Sequence, residues 1–176
     1  ISMRAHYLRA LGEAAGDYHR EFSGDSETLE LTYRTVSTVT DPFAPPETLC
    51  AQLQEHQRSH ARAELESAQC LSGPHKDDFE AVINGLPVAQ FASQGQTRTA
   101  VISLKLAERA LLRQGTGETP VLLLDDVLSE LDAGRQDFVL NQLREGQVFI
   151  TCCETDRLTS LGQVLSIRSG TIGGAQ

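Results

Sequence analysis

The chain has 176 residues, of which 40% are hydrophobic and only 5% aromatic, so aliphatic side chains must fill its core. The formal net charge of −9 argues against a non-specific polyanion binder, because affinity for nucleic acid needs Lys and Arg to displace counterions. DNA binding through a local patch, another segment or a dimer stays open. No apolar run approaches the ~20 residues that cross a membrane. The four cysteines form no CxxC pair, and a reduced, cytoplasmic protein is expected.

The first 70 residues predict a small α+β lobe. A helix is expected over 3–22, because apolar residues recur there at three- and four-residue spacing, and Gly24 ends it. Alternating apolar and polar residues predict a strand over 29–36. Because Ile1 leads directly into the first helix, we expect the sequence to begin within a longer protein.

A second, densely charged helix is predicted from 47 to about 69, and three leucines are expected to face inward: Leu49, Leu53 and Leu65. His56 and His60 lie one turn apart on this helix, a spacing that could bind zinc. Since the surrounding residues are polar, we interpret both histidines as part of a solvated face.

The chain beyond residue 70 begins with a hairpin and a long helix. A strand is predicted over 79–83, and Asn84-Gly85 is a strong hairpin turn signal. A second strand is expected to run through Val88 to Phe91. A helix follows over 96–114, with a predicted buried stripe of Val101, Leu104, Ala107 and Leu111.

Strands then alternate with helices. The unbroken apolar run 121–124 is typical of a central strand covered on both faces. A helix is predicted over 133–144 and strands over 148–151 and 164–168. This alternation indicates parallel pairing and an α/β layer.

Two adjacent acids, Asp125 and Asp126, follow the apolar run. They emerge at the carboxyl end of the predicted strand, where ligands of open α/β sheets bind. Asp125 could hold Mg²⁺ through water, and Asp126 could polarise an attacking water. Alternatively, both are solvated acids that only end a strand.

Two further segments flank this pair. Ser93-Gln94-Gly95-Gln96 stands just before the long helix and could form an anion site at its N-terminus, or an ordinary N-cap with a turn glycine. Ser129-Glu130-Leu131-Asp132 follows the acids, and Asp132 could cap the next helix.

In this order and spacing, the three segments resemble the ABC-type ATPases of the SMC and RecF group. There, a signature similar to Ser93-Gln94-Gly95-Gln96 precedes a Walker B strand and a D-loop. The RecF family is indicated more closely by the blocks Ser72-Gly73-Pro74-His75-Lys76-Asp77-Asp78-Phe79, Ser93-Gln94-Gly95-Gln96-Thr97-Arg98-Thr99 and Leu124-Asp125-Asp126-Val127-Leu128-Ser129-Glu130-Leu131-Asp132.

This resemblance implies an α/β fold, the C-terminal half of an ABC-type ATPase head with a small, mainly helical α+β second lobe. Residues 1–70 would be part of the second lobe, and 71–176 the C-terminal part of the head, carrying the signature, Walker B and D-loop.

The resemblance also implies roles for individual residues. Asp125 would be the Mg²⁺ ligand and Asp126 the catalytic acid, at a position where most relatives carry Glu. The signature residues Ser93, Gln94, Gly95 and Gln96 would contact ATP in trans. The resemblance also assigns Ser129 and Asp132 to the D-loop. Many ABC-type ATPases carry a switch His after the next strand, where this chain has Thr151, which could contact the γ-phosphate. His75 and Lys76 could sense nucleotide or DNA, or their block could be a structural turn.

No Walker A sequence, Gly-x-x-x-x-Gly-Lys-Ser/Thr, occurs in the chain, so this segment alone is expected to be inactive. For the complete protein, the resemblance implies ATP and Mg²⁺ as cofactors and a homodimer on ATP binding. It further implies double-stranded DNA near single-strand gaps and RecO/RecR-type recombination mediators as partners, and loading of RecA as the outcome.

Two other functions remain open at this point. One is a Mg²⁺-dependent phosphoesterase or nuclease built on Asp125 and Asp126 with Asp77 or Asp78, which would cleave without dimerising. The other is a non-enzymatic interaction module that resembles an SMC head and binds a partner regardless of nucleotide.

Overall fold

The computed structural model describes residues 1–128, 131–143, 145–153 and 162–173, which form two compact units, Ile1–Glu118 and Thr119–Gln176. Helices and strands alternate in a mixed α/β fold, as predicted. No helix among the described residues is both long and apolar enough to span a membrane. The predicted lobe boundary at residue 70 concerns the complete head and stays a prediction.

The first unit contains a three-stranded antiparallel sheet of β1 (Leu29–Arg34), β2 (Asp78–Ile83) and β3 (Leu86–Pro87), in that order. The turn between β2 and β3 places Asn84 at φ 50° and Gly85 at φ 80°, as a type I′ hairpin requires. The predicted hairpin is therefore confirmed.

Two long helices, α1 (Ser2–Ser23) and α4 (Gln94–Thr116), pack against each other in this unit. The buried core comprises Ala15, Leu29, Ile83, Ala100 and Ala107. A Cβ added to Gly16 would lie 3.1 Å from the backbone oxygen of Leu29. Glycine therefore allows α1 to approach β1 this closely.

The helix α2 (Pro46–Ser67) confirms the second predicted helix but corrects two of its details. Leu65 is 85% exposed, so the expectation that it faces inward is wrong. His56 is buried, its Nδ1 lies 2.7 Å from Ser72 Oγ, and its ring stacks on His60 at 3.9 Å. The interpretation of His56 as solvated is therefore wrong as well.

The segment after β3 forms a one-turn helix, α3 (Val88–Phe91), and the strand predicted there is wrong. Pro87 lacks the N–H that would continue the ladder. Along α4, Val101 is 52% exposed, whereas the Thr99 and Ser103 side chains are fully buried. Their hydroxyls donate 2.8 Å hydrogen bonds to carbonyls one turn back, at Gly95 and Thr99. Ala107 is fully buried and Leu104 packs against the core, so the predicted stripe is confirmed there but wrong at Val101.

The second unit contains a parallel pair of strands, β4 (Leu122–Asp125) and β5 (Val148–Thr151), with the helix α5 (Ala133–Gln142) between them in sequence. The parallel pairing confirms the predicted α/β layer. Leu122 and Leu124 are buried but Leu123 is 71% exposed. Within the described residues, the prediction that this strand is covered on both faces is therefore wrong.

The tail of the chain forms a hairpin of two short strands. These strands are β6 (Ile167–Arg168) and β7 (Thr171–Ile172). The strand predicted over 164–168 is therefore confirmed only at its end.

Candidate functional site

The signature segment forms the N-terminus of α4, with Ser93 as N-cap. Ser93 Oγ accepts from the Gln96 backbone N–H at 3.2 Å, and Gln96 Oε1 accepts from the Ser93 N–H at 2.9 Å. This reciprocal capping box satisfies two donors at the helix end, and the N-cap interpretation is confirmed. Ser93 and Gln94 remain exposed, whereas Gly95 and Gln96 are partly buried.

The geometry of this helix end suits an anion. The first amides of an α-helix have no carbonyl partner within the helix, and the helix dipole places partial positive charge there. Ser93 Oγ uses a lone pair for its cap bond, so its hydroxyl hydrogen can still be donated outward. The capping box and an anion site are therefore compatible at Ser93.

The acid pair lies at the carboxyl end of β4, next to Thr151 of β5. Thr151 Oγ1 donates to Asp125 Oδ1 at 2.5 Å and accepts from the Asp126 N–H at 3.0 Å. Asp126 has a left-handed backbone with φ 51°, which turns the chain away from the strand. The Asp126 N–H also lies 3.2 Å from the Thr151 carbonyl, so Thr151 contacts both acids, a positioning role that the sequence did not indicate.

The acid pair offers carboxylates, the ligands by which nucleotide-binding proteins commonly hold Mg²⁺. Among the described residues, no group of three or more His, Cys, Asp or Glu side chains could hold a metal ion. Mg²⁺ at such sites is commonly bound by one or two carboxylates, with waters and substrate phosphates supplying the other ligands. The exposed carboxylate of Asp125 at a strand end can serve as such a ligand.

The structure describes only part of the predicted D-loop. Ser129 lies outside the described residues. Asp132 caps α5, its Oδ1 accepting from the Arg135 N–H at 3.0 Å, so the predicted cap is confirmed. The Gln136 side chain donates to the carbonyls of Leu128 and Leu131 at 2.7 and 3.1 Å, a brace that the sequence did not reveal.

The Gly-Pro-His block forms a short 3₁₀ turn, Pro74–Lys76, before β2. His75 Nε2 lies 2.9 Å from the carbonyl of Cys70, and the Lys76 side chain is exposed. The Cys70 carbonyl therefore fixes the His75 ring, and the Lys76 side chain is exposed to solvent.

Asp77 directly precedes β2, and its side chain is only 2% exposed. The Tyr33 hydroxyl donates to its carboxylate, and Arg4 lies 3.8 Å from it. Burial, helped by this hydrogen bond and the Asp77 charge, raises the pKa of Tyr33. A carboxylate held in this way supports the fold, which counts against Asp77 as a ligand in a metal-dependent hydrolase.

Curated proteins similar to this chain carry one name. The chain is 40% identical to the DNA replication and repair protein RecF of Synechococcus sp. (strain JA-2-3B'a(2-13)) over 174 residues, covering 96% of this chain and 46% of that protein. It is likewise 40% identical to RecF of Symbiobacterium thermophilum over 179 residues, covering 98% of this chain and 48% of that protein. The chain thus spans about half the length of these relatives. No protein-family model matches it.

Solved structures agree with these relatives. The recombination mediator protein RecF-ATP in the RecFOR pathway superposes with a TM-score of 0.82 at 33% identity. The match covers 97% of this chain and 45% of that protein. The structure of RecF-ATPrS in the same pathway gives the same values. These matches confirm the expected fold, part of an ABC-type ATPase head.

Proposed function

Since this chain belongs to the RecF family, we propose that it supplies the signature, Walker B and D-loop segments of an ATP site that closes between two copies of the complete protein. The observation that carries the proposal is the capped start of α4, where the exposed Ser93 lies at the N-terminal end of the helix and its cap bond leaves the hydroxyl hydrogen available to an anion. A γ-phosphate held by the other copy is the anion that this geometry suits.

The acid pair supplies the chemistry of hydrolysis in this proposal. Asp125 holds Mg²⁺, which neutralises charge on the phosphate oxygens when bound. Asp126 orients the attacking water and accepts its proton. Thr151 keeps both acids in register and, as a switch residue, reports on the γ-phosphate. Asp132 and Ser129 belong to the proposed D-loop.

The loop that wraps the β-phosphate comes from outside this segment, because no Walker A sequence occurs in the 176 residues. The segment alone is therefore inactive in our proposal. ATP binding holds two copies together, and hydrolysis releases them. Positioning and electrostatics, rather than covalent chemistry, lower the barrier.

The partners proposed for the complete, cytoplasmic protein are DNA and recombination mediators. We propose that the ATP-bound dimer binds double-stranded DNA near single-strand gaps and acts with RecO/RecR-type mediators to load RecA. The names of the relatives, a DNA replication and repair protein and a recombination mediator, support this assignment. With a net charge of −9 on this segment, its DNA contacts must be local, and His75 and Lys76 are proposed as sensing residues there.

The test is the mass of the complete protein by light scattering, with and without ATP and Mg²⁺. We expect an ATP-dependent dimer for the wild type and a monomer for Ser93→Arg, because a bulky cation fills the space of the γ-phosphate contact. Ser67→Arg, at the exposed last turn of α2, is the matched control and should dimerise normally. A dimer that is unaffected by Ser93→Arg would refute the composite site.

A further inference from the structure

We infer that Glu27, a residue outside every recognised motif, is the positioning residue of the signature segment. It orients the Gln96 side chain and thereby holds Ser93 in its capped conformation. The inference rests on the proposed role of Ser93 in the ATP site and extends that site inward to the core of the first unit.

A continuous chain of hydrogen bonds connects the core to the signature. His19 on α1 is fully buried, and its Nε2 lies 3.1 Å from Glu27 Oε2. The other carboxylate oxygen, Glu27 Oε1, accepts from Gln96 Nε2 at 2.8 Å. Gln96 Oε1 then accepts from the Ser93 N–H at 2.9 Å. Hydrogen bonds thus connect His19 on α1, Glu27 in the loop that follows, and the Gln96 and Ser93 groups at the start of α4.

The backbone around Glu27 is itself fixed. Gly24 and Asp25 both have left-handed φ values, 59° and 61°, which turn the chain from α1 towards β1. The Ser23 hydroxyl then accepts from the Glu27 N–H at 3.2 Å. Glu27 is only 16% exposed, so its carboxylate is held from both sides rather than sampling solvent.

The direction of these bonds follows from the chemistry of the carboxylate. An ionised carboxylate only accepts hydrogen bonds, so Gln96 must present its NH₂ group to Glu27. The amide oxygen of Gln96 then points to the Ser93 N–H, as the capping box requires. Without Glu27, the amide of Gln96 could rotate or flip, and the Ser93 N–H would lose its fixed partner.

The consequence for the proposed ATP site is pre-organisation. A serine that must contact a phosphate across a dimer interface loses less conformational freedom on binding if its helix end is already fixed. Glu27 itself lies behind Gln96 and touches no proposed ligand position, so its effect is on assembly rather than on the chemical step.

The experiment compares Glu27→Ala with wild type in the complete protein, using two readouts. We expect the ATP concentration for half-maximal dimerisation to rise roughly tenfold, the effect of losing one charge-assisted hydrogen bond, while turnover at saturating ATP is retained. Amide hydrogen exchange should become faster over 93–97. Glu21→Ala, which removes an exposed carboxylate from α1, is the matched control and should change neither readout.

A conservative variant separates positioning from general support of the fold. In Glu27→Gln the side-chain oxygen can still accept from Gln96 but the charge that strengthens the bond is lost, so we expect a defect smaller than that of Glu27→Ala. In Glu27→Asp the charge is kept but the reach shortens by one methylene, and we expect the same defect as in Glu27→Ala. Glu27→Asp decides the question if Glu27→Ala does not fold.

The outcomes distinguish this inference from the function on which it rests. Normal dimerisation and exchange in Glu27→Ala and Glu27→Asp, with Ser93→Arg still monomeric, would overturn the role of Glu27 and leave the ATP site intact. Normal dimerisation of Ser93→Arg would overturn both. A defect in Glu27→Gln as large as that in Glu27→Ala would also contradict the hydrogen-bond argument.

Discussion

The signature segment and the acid pair differ in where their described contacts lead. Ser93 is held through Gln96 and Glu27 by a chain of bonds that ends at a buried histidine. Asp125 and Asp126 are exposed, and both bond to Thr151 on the neighbouring strand β5. The comparison teaches that the proposed binding segment is tied to the core of the first unit, whereas the proposed reacting acids are open to solvent.

The largest effect is expected from Asp126→Asn, which removes the proposed base but keeps the shape of the side chain. We expect ATP turnover to fall by roughly 10²–10⁴-fold, the usual contribution of a general base. The ATP-dependent dimer should persist, because assembly depends on the signature segment. Turnover assays and light scattering on the complete protein measure hydrolysis and dimerisation. Loss of the dimer in this variant would contradict the assignment of assembly to the signature segment and hydrolysis to the acid pair.

A smaller effect is expected from Thr151→Val, which removes the hydroxyl shared by both acids. We expect turnover to fall roughly tenfold, because the Asp125 carboxylate loses a protein partner that water replaces only in part. The Asp126 N–H keeps its bond to the Thr151 carbonyl. Thr151→Ser keeps the hydroxyl and is the control. Equal defects in the two variants, measured by steady-state ATP hydrolysis, would assign the role to the methyl group instead.

The smallest effect concerns His56, which braces α2 against the start of the Gly-Pro-His block through Ser72. Burial, and secondly the charge of His60, lowers the pKa of His56 below its usual 6.5, while Glu64 opposes the shift. Protonation therefore favours the unfolded chain. Stability from this group is complete above pH 6.5 and declines as the pH falls below it.

The measurement is the urea midpoint of wild type at about pH 7.5 and about pH 5.5, compared with His56→Asn. The asparagine amide can replace Nδ1 beside Ser72 but does not titrate. We expect a shallower fall with pH in the variant. Equal slopes in the two proteins would show that His56 does not contribute.

Most elements of the fold could be predicted from the sequence, because periodicity and turn residues are local signals. The failures come from residues whose burial the apolar pattern does not determine. Val101 belongs to an apolar pattern, yet Thr99 and Ser103 take the buried positions by bonding to their own helix. Leu65 fits the same pattern and stays exposed.

For the candidate site, the motif residues were predictable but their supports were not. Ser93 and Asp132 follow a known capping pattern, and their caps are present. Glu27 is separated from Gln96 by 69 positions, so no spacing rule connects them. Thr151 likewise meets Asp125 only through the parallel register of β4 and β5.

The left-handed backbone at Asp126 has a consequence for how this position can vary. Short polar side chains tolerate that conformation better than longer ones, since they can bond locally, whereas most L-residues lose roughly 1–2 kcal/mol there. Exchanging Asp126 for the glutamate that many ABC-type ATPases carry is therefore more than an extension by one methylene. The left-handed turn at this position, φ 51°, disfavours glutamate, so the exchange costs backbone energy as well as changing the reach of the carboxylate.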